Sequence, residues 1–125
     1  MRNNALWNCK NPNQGDSTKV LCICSAGLLR SPTMAAVLIK KGFNARAAGM
    51  HDYALIEVDH VLLKWADVVL FAEEPLMEYC LNKFPDNLEG KVYHCLKIPD
   101  MYQYGDPKLI KIIEERLEGI TFDTV

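Results

Sequence analysis

The segment Cys24-Ser25-Ala26-Gly27-Leu28-Leu29-Arg30-Ser31-Pro32 puts a thiol, a guanidinium and a hydroxyl into one short loop. The residues between Cys24 and Arg30 are enough to wrap a tetrahedral oxyanion with successive backbone N–H groups pointing inward. A helix starting at this point adds its partial positive charge to the same place. The planar fork of Arg30 suits two oxyanion oxygens at once, which a lysine ammonium would not. A helix N-terminus and a guanidinium together stabilise a thiolate, the reactive form of cysteine. Ser31 is placed to donate a hydrogen bond to that sulfur, first as nucleophile and later as leaving group. Gly27 fits a loop position that needs a positive φ. One element thus supplies a nucleophile, Cys24, and an anion cradle built from Ser25, Ala26, Gly27, Leu28, Leu29 and Arg30.

Cys and Arg at this spacing also occur by chance, so the weight rests on context. Thr18 to Cys24 is a β-branched, apolar run and reads as a buried parallel strand. Ser31-Pro32 reads as a helix start, with Ser as N-cap and Pro at the first helical position. Met34, Val37 and Leu38 supply the apolar face of that helix, Lys40 and Lys41 suit its C-terminal end, and Gly42 follows it. The alternative is a loop with no anion-binding role, an ordinary strand-to-helix connection with a buried Cys24 and a surface Arg30.

Further along, Asn44 to Ala48 is a weak second strand, and residues 52–66 have helical spacing with a break near Asp59. Asp67 to Ala72 is a third strand, Pro75 to Phe84 a helix stopped by Pro85, and Lys91 to Ile98 a fourth strand. Asp106-Pro107 opens a last helix with Leu109, Ile110, Ile113 and Leu117 on one face and Gly119 at its end. Strands alternating with helices predict right-handed βαβ units and a parallel sheet covered on both faces. Ligands then bind outside the carboxyl ends of the strands, which is where Cys24 lies.

The chain has 125 residues, which suits one domain, here 18–125, after an N-terminal stretch 1–17 that reads as a flexible leader. A net charge of -2 argues against a nucleic-acid or polybasic membrane binder. No apolar run reaches the ~18 residues of a membrane span, and residues 1–17 lack a secretion signal. The five cysteines, an odd number at irregular spacings, read as reduced thiols of a cytoplasmic protein rather than a disulfide framework. Cys22, Cys80 and Cys95 are expected in the core, and Cys9 in the leader. His51, His60 and His94 have no metal-ligand spacing.

Cys24 to Pro32 resembles the phosphate-binding loop of the low-molecular-weight protein tyrosine phosphatases, which carry Cys-x5-Arg-Ser near the N-terminus. The resemblance continues through Ala47-Ala48-Gly49 and Trp65-Ala66-Asp67. It ends in Ile98-Pro99-Asp100-Met101-Tyr102-Gln103-Tyr104-Gly105-Asp106-Pro107, which is similar to the small predicted-phosphatase branch of that superfamily. It implies a three-layer α/β sandwich with a four-stranded parallel sheet in the order 2-1-3-4, and metal-free, cofactor-free dephosphorylation through a phosphocysteine. The expected partners are a phosphorylated protein or small phosphomonoester and phosphate-like oxyanions, with the chain acting as a monomer. Three departures stand out. Ala26-Gly27 replaces the usual Gly-Asn whose Asn braces the loop, Leu29 replaces a second cysteine, and Gln103 separates the aromatic pair.

Expulsion of a phenolate or alkoxide requires an acid that later activates water. Asp100 follows the fourth strand at the edge that carries Cys24, and the resemblance assigns it this role. Asp106 is the rival, although Asp before Pro is also a good helix cap. Glu73 and Glu74 follow the third strand at the same edge and could reach the site, but Pro75 makes Glu74 read as a helix-entry residue, and solvation is the plainer reading for Glu73. Tyr102 and Tyr104 are read equally as an aromatic wall for a phosphotyrosine ring or as loop packing. Two other readings stay open. One is arsenate reduction, where a thiol relay would involve Cys80, although Cys80 lacks a neighbouring partner. The other is a phosphate- or phosphoprotein-binding module that no longer turns over.

Overall fold

The computed structural model describes residues 18–25, 30–49, 56–99 and 101–120. The leader 1–17, the loop residues Ala26 to Leu29, and Asp100 lie outside them. The elements run β1 (Lys19–Cys24), α1 (Arg30–Lys40), β2 (Asn44–Gly49), α2 (His60–Trp65), β3 (Val68–Phe71), α3 (Glu74–Lys83), α4 (Pro85–Leu88), β4 (Val92–Cys95) and α5 (Pro107–Glu118). The strands form one parallel sheet in the order β2-β1-β3-β4, as the family resemblance implies.

The central strands carry apolar residues on both sides, and β1 from Val20 to Cys24 and the whole of β3 are buried. That is the signature of parallel strands covered on both faces. β1–α1–β2 steps outward and β2–α2–β3 steps back across β1. Right-handed connections in opposite directions put α1 and α2 on opposite faces. α1 packs with α5 on one face, while α2 and α3 each pack on α4 on the other. α5 docks through Leu109, Ile113 and Leu117, four residues apart on one buried stripe.

Four boundaries differ from the sequence reading. α1 begins at Arg30 rather than after Ser31, so Ser31 lies inside the helix and is not its cap. Pro32 is still in the first turn, where its missing N–H costs nothing. The helix read over 52–66 is realised only as His60–Trp65 among the described residues. Gly49 N–H donates to the Ile56 carbonyl at 2.8 Å, and Val58 N–H to the Gly49 carbonyl at 2.9 Å. These bonds keep 56–58 extended, and Asp59 then caps α2 by accepting from Leu62 N–H at 2.9 Å. Pro85 ends α3 but also opens the short α4. The regular part of β4 stops at Cys95, yet Leu96 and Ile98 still donate to Phe71 and Ala72 carbonyls at 2.8 and 2.7 Å. Lys97 between them adopts φ 55, which interrupts the ladder.

Cys22 and Cys80 are fully buried, while Cys95 is only half-buried. Burial pushes the Cys80 thiol up from 9.0 to about 12, against the weaker lowering pull of Lys83. A thiol whose native pKa is raised favours folding below its unfolded pKa and loses that advantage as pH rises past it. The window is therefore pH 9 to 12. Between pH 8 and 10, urea unfolding should show wild type losing about 1 kcal/mol more than Cys80→Ala, from ~1.4 kcal/mol per pK unit. Parallel pH slopes for the two proteins would show that Cys80 ionises as readily folded as unfolded.

Candidate active site

The carboxyl ends of β1, β3 and β4 converge on Arg30. Its guanidinium is 1% exposed, which for a permanent cation demands compensation from close polar groups. Nη1 donates to the Ile98 carbonyl at 2.7 Å and meets Glu73 Oε2 at 2.9 Å, and Nη2 donates to Ser25 Oγ at 3.3 Å. The three partners come from the segment after β4, the turn after β3 and the start of the loop after β1. The guanidinium is thereby fixed beside the loop that begins at Cys24.

Cys24 is 3% exposed and ends β1 in register with Gly49 of β2. Its thiol donates to Ser31 Oγ at 3.2 Å, and Ser31 donates to the Ala48 carbonyl at 3.2 Å. Ser31 is fully buried in the first turn of α1 and links the sulfur to the end of β2. With the sulfur protonated, the single hydroxyl proton points to Ala48. With the sulfur ionised, rotation about the C–O bond delivers that proton to Sγ.

Cys24, Ser25, Arg30 and Ser31 are thus brought together. The middle of the loop, Ala26, Gly27, Leu28 and Leu29, lies outside the described residues, as does Asp100. Ile98, two positions before Asp100, accepts from Arg30. Asp106 is the N-cap of α5 and accepts from Lys108 N–H at 2.9 Å. Tyr102 is half-buried against the core. Tyr104 is 59% exposed and lines a cavity of about 420 Å³ between α1 and α5 with Thr33, Val37 and Ile110. A second cavity, of about 410 Å³, is lined by Glu73, Glu74, Pro75, Lys97, Ile98 and Pro99.

Glu73 corrects the sequence reading. Read as solvated, it pairs with Arg30, while its backbone, rather than that of Glu74, occupies the N-cap of α3. Its signal was its place at the end of the strand next to β1. Glu74 pairs instead with Lys97 at 3.6 Å, where both are exposed. Among the described residues no cluster of His, Cys, Asp and Glu could hold a metal ion.

Removing the carboxylate takes from the buried guanidinium a charged partner at 2.9 Å. Loss of one partner of a fully buried pair costs roughly 3–5 kcal/mol. Glu73 itself is 36% exposed, so solvent screening reduces the effect. A double-mutant cycle of Glu73→Gln and Arg30→Met, read by urea unfolding, should give a coupling of about 1–2 kcal/mol. A coupling near zero would mean that Glu73 does not hold Arg30.

No family model and no curated protein matches the sequence. Solved structures do match the fold. The tyrosine phosphatase Wzb from Escherichia coli K30, in complex with phosphate, is 18% identical with a TM-score of 0.65, covering 82% of this chain and 94% of that one. Vibrio vulnificus Wzb in complex with benzylphosphonate is 19% identical with a TM-score of 0.65, covering 82% and 95%. The YwlE arginine phosphatase from Geobacillus stearothermophilus is 18% identical with a TM-score of 0.59, covering 83% and 98%. Strand order and these superpositions agree: the chain adopts the low-molecular-weight protein tyrosine phosphatase fold.

Proposed function

We propose that this protein is a cysteine-dependent phosphatase that hydrolyses phosphotyrosine or another aryl or alkyl phosphomonoester. The observation that carries the reading is the buried trio of Cys24, Ser31 and Arg30 at the carboxyl edge of a parallel sheet. Structures of the same fold are described as tyrosine and arginine phosphatases, one with phosphate and one with benzylphosphonate. These support the reading at the level of phosphoryl chemistry.

In the first step Cys24 Sγ attacks phosphorus, and the S–P bond forms as the P–O bond to the leaving group breaks. Asp100 gives its proton to the departing oxygen. Arg30 and the amides of residues 25–29 hold the other phosphoryl oxygens. Because Arg30 is fixed before substrate arrives, little reorganisation is needed as charge shifts in the transition state. In the second step the Asp100 carboxylate takes a proton from water, the resulting oxygen attacks phosphorus, and the S–P bond breaks. Sulfur leaves as thiolate, with the Ser31 proton turned toward it. No metal or cofactor enters these steps.

The substrate side of the reading is a phosphorylated protein or a small phosphomonoester, met by a monomer in the cytoplasm. Tyr102 lies close in sequence to Asp100 and offers an aromatic surface to a planar leaving group. No helix among the described residues is long and apolar enough to cross a membrane. A thiol relay for arsenate reduction is disfavoured by Cys80, which is fully buried with its thiol pushed up to about 12. A thiol in that state is a poor nucleophile.

Wild type should hydrolyse a generic aryl phosphate and be inhibited by vanadate. Cys24→Ser should fall to the background rate while still binding vanadate in a thermal-shift assay. Tight vanadate binding by wild type without turnover would instead identify a binding module. For the acid, Asp100→Asn should lose about 10²-fold or more on a poor leaving group, the usual range for acid–base catalysis. Asp106→Asn should lose far less, because its carboxylate caps α5. The reverse ranking in steady-state kinetics would move the acid to Asp106.

A further inference from the structure

The segment between β4 and α5 is fastened at both ends to the same helix. At its start, the Ile98 carbonyl accepts from Arg30 Nη1 at 2.7 Å. At its end, Gly105 N–H donates to Thr33 Oγ1 at 3.0 Å. Arg30 and Thr33 lie one turn apart at the head of α1. Asp100 belongs to the span between these two anchors.

We infer that Thr33 is a positioning residue for the acid–base step: its hydroxyl anchors the Asp100 segment to the helix that carries Arg30 and Ser31. This rests on the phosphatase reading given above, with Asp100 as the acid. Thr33 is 1% exposed, so its hydroxyl is held in one place rather than sampling solvent. Gly105 is exposed and adopts φ 74, a backbone state that glycine enters without steric penalty. Asp106 follows at once, its N–H donating to the Gln103 carbonyl at 3.1 Å and its carboxylate capping α5. The Thr33 bond therefore ties the far end of this segment to α1, as the Arg30 bond ties its start. An acid must stay within hydrogen-bond reach of the oxygen it protonates, and a loop free at one end spends less time there.

The inference separates two kinds of damage. Losing the tether slows the proton transfer to the leaving oxygen but not the attack of Cys24 on phosphorus. Rate loss should then grow with the basicity of the leaving group. Thr33→Val keeps the shape and removes the acceptor, and the exposed Gly105 N–H turns to water. Read as kcat/KM, which ends with departure of the leaving group and excludes the later hydrolysis of the phosphocysteine, Thr33→Val should match wild type within about twofold on a dinitrophenyl phosphate, whose leaving group needs no proton. With a phenyl or alkyl phosphate it should fall by about tenfold or more, within the range that general acid catalysis supplies. Thr33→Ser should restore the wild-type dependence. Gly105→Ala disturbs the same anchor from the loop side: a Cβ there meets open space, so its effect acts through the unfavourable φ. It should reproduce the leaving-group signature, and combining it with Thr33→Val should add little.

Gly105→Ala carries the test if Thr33→Val fails to fold. If wild type turns over both substrates and the variants lose equally on both, or on neither, the tether has no part in proton transfer and this inference alone is overturned. If wild type hydrolyses neither substrate, the phosphatase reading fails and the inference falls with it.

Discussion

A guanidinium that never loses its charge is buried at the meeting point of three strand ends, and much of the molecule is arranged around that fact. Isolated in an apolar interior, such an ion would cost many kcal/mol. Among the described residues Arg30 meets a carboxylate, a carbonyl and a hydroxyl, each from a different part of the chain. Only a topology that brings the ends of β1, β3 and β4 to one edge assembles that set. The order β2-β1-β3-β4 does so, with β1 and β3 adjacent in the centre. Sheet topology and the chemistry of the site are thus one constraint seen at two scales.

The net charge of the chain is -2, so positive potential beside Cys24 has to be local. It comes from one buried side chain and the head of α1, and owes nothing to a basic surface. Glu73 sharpens this. Its carboxylate fixes the guanidinium and also offsets part of its charge, an arrangement that favours geometry over raw attraction.

What the sequence made legible was whatever local patterns encode. The apolar run ending at Cys24, the Cys-x5-Arg spacing, the alternation of strands and helices, and the Asp106-Pro107 cap all depend on neighbours within a turn or two. The resemblance carried by Cys24 to Pro32 supplied the strand order. What stayed hidden were contacts that depend on strands distant in sequence. Glu73 looked like a solvated acid because nothing near it in sequence is basic, and Arg30 lies 43 positions earlier (73 − 30). Ser31 looked like a cap because Ser-Pro is a common helix start. Its role inside the helix depends on the Ala48 carbonyl, which β2 delivers. The extended pairing of 56–58 with Gly49 overrode a helical spacing that is present in the residues themselves.

The cysteines show why burial alone does not define chemistry. Cys24 and Cys80 are both shielded from solvent, at 3% and 0% exposure. Around Cys80 the dominant influence is the loss of water, and its proton is held more tightly as a result. Around Cys24 the water is replaced by a serine hydroxyl fixed between two strands, at the head of a helix and one loop away from a held guanidinium. In the first environment the removal of solvation dominates. The second replaces it with oriented dipoles and charge that need not reorganise when the sulfur changes state. The difference lies in what each strand or helix end presents to the sulfur. A thiol at the carboxyl end of β1, beside the head of α1, thus meets surroundings that the packed flank of α3 does not offer.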